Sequence, residues 1–151
     1  MIRRATINDV DEVTSIMKDP DVWPHICDDR HVDRDTFSAC DFLENEEVYA
    51  LLDTDVVFLV WPFNHVAYEV HAHTRKRARG QNAKDRFREV VDYMFDNTRC
   101  EKLVSFVPTL YPNVIIWGVF IGWKKEGRLI KAYKKNGQLY DLIIFGICKE
   151  N

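Results

Sequence analysis

The 151-residue sequence contains no Cys-x-x-Cys pair: Cys27, Cys40, Cys100 and Cys148 stand far apart. That spacing leaves a zinc knuckle or a dithiol redox site without support, and it reads as free thiols in a reducing compartment. Long apolar runs are missing too. The longest, Val114 to Trp123, is too short to span a bilayer, and Arg3 and Arg4 are not followed by the apolar core of a signal peptide. Repeats and low-complexity tracts are absent, and the formal net charge is only -3. What remains is 46% hydrophobic content on a chain of ordinary domain size, so a single domain over 1–151, working in the cytoplasm, is expected.

Cationic charge is focused. Arg75, Lys76, Arg77, Arg79, Lys84, Arg86 and Arg88 crowd one segment of a mildly acidic chain. Within it an apolar strand runs into a turn containing Gly80, and a helix follows. Ala83, Phe87, Val90, Val91, Met94 and Phe95 form the buried face of that helix. The first N–H groups of a helix lack partners within it and favour an anion, and glycine lets the backbone come close to one. The pattern predicts a seat for a pyrophosphate. A nucleic-acid surface is the other reading of these arginines, but the chain carries no recognisable nucleic-acid module and its remaining surface is acidic.

The order of elements follows from periodicity and turn residues. A strand over Ile2 to Ala5 leads through a Thr6/Asp9 capping pair to a helix with Val10, Val13, Ile16 and Met17 on one face. Pro20 and Pro24 break it, and a second short helix is expected around Phe37, Cys40 and Leu43. Val48 to Leu52, Val56 to Trp61 and His65 to His73 read as an antiparallel meander. After the long helix come a strand at Lys102 to Val107, a helix beyond Pro108 to Pro112, and a hairpin turning at Asn136-Gly137.

These residues carry a family resemblance. Arg77-Ala78-Arg79-Gly80-Gln81-Asn82-Ala83 resembles the Arg/Gln-x-x-Gly-x-Gly/Ala signature of the GNAT superfamily of N-acetyltransferases, which hold the acetyl-CoA pyrophosphate in this turn. Gly122 to Ile147, with Gly122-Trp123, Glu126-Gly127 and Tyr140-Asp141, is similar to the closing segment of the subfamily that acetylates ribosomal-protein N-termini. Ile2 to Thr6 with Asp9 and Val10 is similar to its opening. The resemblance covers nearly the whole chain, least over Pro20 to Asp41. It implies an α+β fold with a mixed, mostly antiparallel seven-stranded sheet, helices on both faces and a splay between strands 4 and 5. It also implies acetyl-CoA as donor. Ala72, Arg77, Ala78, Arg79, Gly80, Gln81, Asn82 and Ala83 would lie against the cofactor, with fourth-strand backbone pairing to pantetheine and Arg77 and Arg79 facing phosphate.

Acetyl transfer to an amine needs a neutral amine and a stabilised leaving thiolate. Glu69, His71 and His73 alternate onto one face of the fourth strand, so Glu69 or His71 is the candidate base. His71 and His73 could instead ligate a metal, but no cysteine or carboxylate stands at a supporting spacing, and no metal is expected. The position at which relatives often place an acidic tyrosine is Gly118, which leaves Tyr111, Tyr133 or Tyr140 as substitutes, Tyr111 foremost. The acceptor is a protein or small-molecule amine, and the aspartates of the Asp19 to Asp35 loop would suit a cationic one. Gly118 and Asn82 also leave open a non-catalytic GNAT-fold protein acting in binding or assembly, as in a phage virion or head. A homodimer through the final strands is a habit of the family.

Overall fold

The computed structural model describes residues 1–30 and 32–150. Seven strands form one sheet in the order β1-β2-β3-β4-β5-β7-β6: β1 Arg3–Arg4, β2 Tyr49–Asp53, β3 Val56–Pro62, β4 Ala67–Thr74, β5 Lys102–Pro108, β6 Lys124–Lys135 and β7 Gln138–Cys148. All neighbouring pairs are antiparallel except β4 and β5, which run parallel. Four α-helices cover the sheet: α1 Val10–Met17, α2 Cys40–Glu44, α3 Gln81–Asn97 and α4 Pro112–Ile121. None of the described helices is long and apolar enough to cross a membrane.

Strand alternation sorts the core into two layers. Phe58, Val60, Tyr68, Val70, Leu103, Val107 and Phe145 face α3, which lays Phe87, Val90 and Met94 on them. Ala50, Leu52, Val57 and Leu59 face the other way, toward Val13, Ile16 and Met17 of α1 and Phe42 and Leu43 of α2. Thr6 and Asp9 make a capping box ahead of α1, the Asp9 carboxylate accepting the Thr6 N–H at 2.8 Å. This removes orphan donors at the point where the chain leaves the sheet.

The parallel junction positions the site. β4 and β5 pair only through Ala67 with Lys102, Tyr68 with Leu103 and Glu69 with Val104. Beyond these residues the strands diverge, and the Ser105 hydroxyl bridges to the Val70 carbonyl at 3.2 Å. The splay expected between the fourth and fifth strands is therefore present. Backbone N–H and C=O of one strand residue point to the same side and alternate along the strand. Since the Val70 carbonyl turns toward β5, those of Ala72 do too, and they border the opening.

The fourth strand starts at Ala67 rather than His65. Asn64 Oδ1 accepts the N–H groups of both Val66 and Ala67, at 3.1 and 2.8 Å, and that local turn competes with strand geometry. The Asn136-Gly137 turn has both residues at positive φ, 51° and 78°, as a two-residue hairpin requires.

Candidate active site

The turn between β4 and α3 is built by its arginines. Arg75 reaches Asp55 at 2.8 Å and Ser15 at 2.6 Å. Arg77 grips both oxygens of Asp55. Arg79 donates to the carbonyls of Thr74 and Asp21 at 3.1 and 3.0 Å. With the turn held in this way, Gly80 takes φ 115° and ψ -151° immediately ahead of α3, a region open in practice only to glycine. A β carbon at Gly80 would meet nothing within 4 Å, so the space before the helix is open. Ala83 and Lys84 donate back to the Gly80 carbonyl. The N–H groups of Gly80, Gln81 and Asn82 have no acceptor among the described residues, and all three residues are exposed, so three unpaired donors stand at the positive end of a 17-residue helix. Arg77 and Arg79, expected to face phosphate, are occupied by protein partners.

On the α1–α2 face of β4, beside the splay, stand Glu69 and His71. Trp61 of β3 lies directly across from Glu69 in register and donates its indole N–H to Glu69 Oε2 at 3.2 Å. His71 Nε2 lies 3.0 Å from Glu69 Oε1 but off hydrogen-bond alignment, which leaves this buried nitrogen without an aligned partner. The His71 imidazole is the main cause that holds the Glu69 carboxyl below its ordinary value, with Trp61 adding to it and burial opposing both. His73, two residues on, is buried, and burial pushes its pKa down to about 3. It is a neutral core residue.

Residues 7–151 match the family described as "Protein of unknown function (DUF2824)". The chain belongs to that family. No curated protein matches the DUF2824 chain in sequence, whereas solved structures match it in fold. A ribosomal-protein-alanine N-acetyltransferase from Brucella melitensis superposes with a TM-score of 0.79 at 18% identity, covering 99% of each chain. The spermidine N-acetyltransferase from Vibrio cholerae, solved with CoA and spermine, gives 0.76 at 14% identity, covering 98% of this chain and 94% of that one. The DUF2824 chain thus has the GNAT fold, the fold of acetyl-CoA-dependent N-acetyltransferases.

Tyr111 stands apart from the Glu69–His71 pair. It occupies the N-cap position of α4, packs its ring at a tilt against His25 with centroids 4.6 Å apart, and directs its hydroxyl to the Pro24 carbonyl. Tyr133 joins it there, donating to the Cys27 carbonyl at 3.2 Å, with its own pKa raised chiefly by burial. Tyr140 donates to Gln138 instead. Gly118 is buried, and a β carbon there would come within 3.2 Å of the Phe145 ring, so any larger side chain would press on that ring. The sequence reading left Trp61 and Phe42 out of the site. Trp61 stacks on His71 and Phe42 on Trp61, contacts that span separate elements, and the alternation of β3 was the only available signal.

Proposed function

We propose that this protein is an acetyl-CoA-dependent N-acetyltransferase that transfers acetyl directly to a protein or small-molecule amine within a ternary complex. The observation carrying the reading is the open turn of unpaired N–H groups at Gly80, Gln81 and Asn82, set at the mouth of the β4–β5 splay. Its chemistry fits a diphosphate, and the Ala72 edge of β4 fits the amides of pantetheine. Arg77, Ala78 and Arg79 shape the turn from behind, and Ala83 begins the buried face of the helix. When bound, acetyl-CoA supplies a thioester carbonyl open to attack by an amine.

Glu69 and His71 face the side from which an amine would approach. An α-amino group loses its proton within about one unit of neutral pH, so a base of modest strength suffices for it, whereas a lysine needs about three. As the nitrogen attacks the carbonyl carbon and the C–S bond breaks, its surplus proton passes to Glu69 or His71, directly or through water. The departing thiolate takes a proton from solvent or from Tyr111. The free cysteines and the use of acetyl-CoA suit the cytoplasm.

Calorimetric titration with acetyl-CoA tests the cofactor, and an acetylation screen over N-terminal peptides and polyamines tests the acceptor. Glu69→Gln and His71→Ala are expected to lower kcat by roughly 100-fold or more with acetyl-CoA affinity retained. A second reading, a non-catalytic binding or assembly protein such as a virion component, is favoured by the filled space at Gly118 and the occupied Arg77 and Arg79. No binding of acetyl-CoA at millimolar concentration would select it.

A further inference from the structure

Trp61 touches both members of the Glu69–His71 pair at once. Its indole N–H meets Glu69 Oε2 at 3.2 Å, and its ring lies over the His71 imidazole with centroids 4.1 Å apart and planes 20° from parallel. Phe42 of α2 also stacks on the indole, nearly parallel, at 6.1 Å and 8°. Resting on the base role assigned above to Glu69 and His71, we propose that Trp61 is a positioning residue that sets the geometry of this pair, with Phe42 holding the indole in place.

The argument is geometric. Glu69 and His71 are two residues apart on one strand face, and a glutamate with three side-chain torsions does not by itself stay beside its neighbour. Trp61 removes that freedom. With Oε2 engaged by the indole, Oε1 is the oxygen left to face His71 Nε2. The stacked indole fixes the plane of the imidazole, while Nε2 keeps no aligned bond of its own and remains available for a proton. A donor on Oε2 also stabilises the ionised carboxylate, the form able to accept a proton. The other charged and titratable groups around this site are His73, next on the same face of β4, and Asp41 and Glu47, which line a groove on the α2 side together with Phe42 and Trp61.

The test separates the two contacts. Trp61→Phe keeps a ring over His71 and loses the N–H, whereas Trp61→Leu loses both. Carbon-detected titration of the Glu69 carboxyl and proton titration of the His71 ring are read by NMR, and kcat and KM are measured across pH. In Trp61→Phe the Glu69 carboxyl is expected to titrate higher than in the wild type, with the acid limb of kcat moving in the same direction and KM for acetyl-CoA unchanged. Trp61→Leu is expected to lose roughly a further 10-fold in kcat. Phe42→Leu, which leaves the indole in place but unsupported, should give a smaller shift in the same direction.

An unchanged carboxyl titration and an unchanged acid limb in a folded Trp61→Phe protein would overturn the proposal. So would a loss of activity in Trp61→Leu that follows only its folded fraction. Failure of the wild type to acetylate any amine is a different result: it overturns the catalytic reading on which the proposal rests, while the carboxyl titration still reports on the indole contact itself.

Discussion

Arg77 closes on Asp55 with its guanidinium fork, Nε on Oδ2 and Nη2 on Oδ1, each at 2.6 Å. Arg77, then Arg75, holds the Asp55 carboxyl down at about 2, so the ion pair persists across any ordinary assay pH. An arginine bound in this way shapes the turn more than it grips a ligand. Arg77→Ala is therefore expected to lower the thermal midpoint while leaving CoA affinity within about 3-fold, since the main-chain donors remain. Gly80→Val should behave differently. It forces a β-branched residue into a glycine-only conformation at a strain of roughly 1–3 kcal/mol and places side-chain bulk before the unpaired N–H groups. CoA affinity should fall at least about 10-fold by calorimetry, and a 10-fold loss in Arg77→Ala would show that its guanidinium contacts phosphate.

His73 makes stability depend on pH. Its folded pKa, about 3, lies well below the ordinary histidine value, with burial the main cause and the charge of His71 the second. The unfolded chain takes up this proton near pH 6.5 and the folded chain does not, so its share of stability is complete above that value. It is lost as pH falls from about 6.5 toward 3, at up to about 1.4 kcal/mol per unit. Urea unfolding at pH 7.5 and 5.5 should differ by about 1 kcal/mol from this residue. His25, also depressed by burial, adds in the same direction. His73→Leu should flatten the dependence, and an equal slope in that variant would assign the effect elsewhere.

The features legible in the sequence were those that local spacing encodes. The α3 face, the Gly80 turn, the Thr6/Asp9 cap and the Asn136-Gly137 hairpin all arise from residues within a few positions of one another, where periodicity and backbone preference act. The splay entered through the family likeness, because strand divergence leaves no periodic trace. Side-chain pairing was hidden. Arg77 and Asp55 are 22 residues apart, and Asp29 meets Asn136 across 107 residues. A charged residue in the sequence carries no sign of which distant partner will claim it, so Arg77 and Arg79 read as free cations. The stacking of Trp61 on His71 follows from register once β3 and β4 are paired, and the sequence does not give that register.

Gly118 tests how firmly α4 is seated. The ring of Phe145, itself fully buried, lies 3.2 Å from the place a β carbon would take. Alanine gains about 1 kcal/mol of helix propensity over glycine, while overpacking a tight core costs about 1–3 kcal/mol. The clash should win narrowly, with Gly118→Ala less stable by about 1 kcal/mol in urea. Gly118→Tyr is expected to fold poorly and to give no gain in acetyl transfer, because its ring has no room on this face of α4. In Phe145→Ala, which opens the space, Gly118→Ala should become neutral or stabilising, and persistence of the penalty there would remove Phe145 as its cause.

Asp29 ties the loop after α1 to the tip of the β6–β7 hairpin. Its carboxylate accepts the N–H groups of Asn136 and Gly137 at 2.6 and 3.0 Å, and its own N–H donates to the Lys134 carbonyl at 3.0 Å. Lys135 adds bonds to the carbonyls of Pro24 and Cys27. The loop is thereby tied to the β6–β7 hairpin by hydrogen bonds, besides the packing of Val22, Ile26 and Phe37. Asp29→Ala removes two acceptors from the turn and should loosen the loop while sparing both cores, costing about 1–2 kcal/mol in local opening rather than global stability. The expected signature is faster amide exchange and proteolysis near residues 23–30, with KM for the acceptor rising several-fold and CoA affinity unchanged. A rise in CoA dissociation of equal size would mean that the loop serves the cofactor side instead, acting through the Arg79 bond to the Asp21 carbonyl.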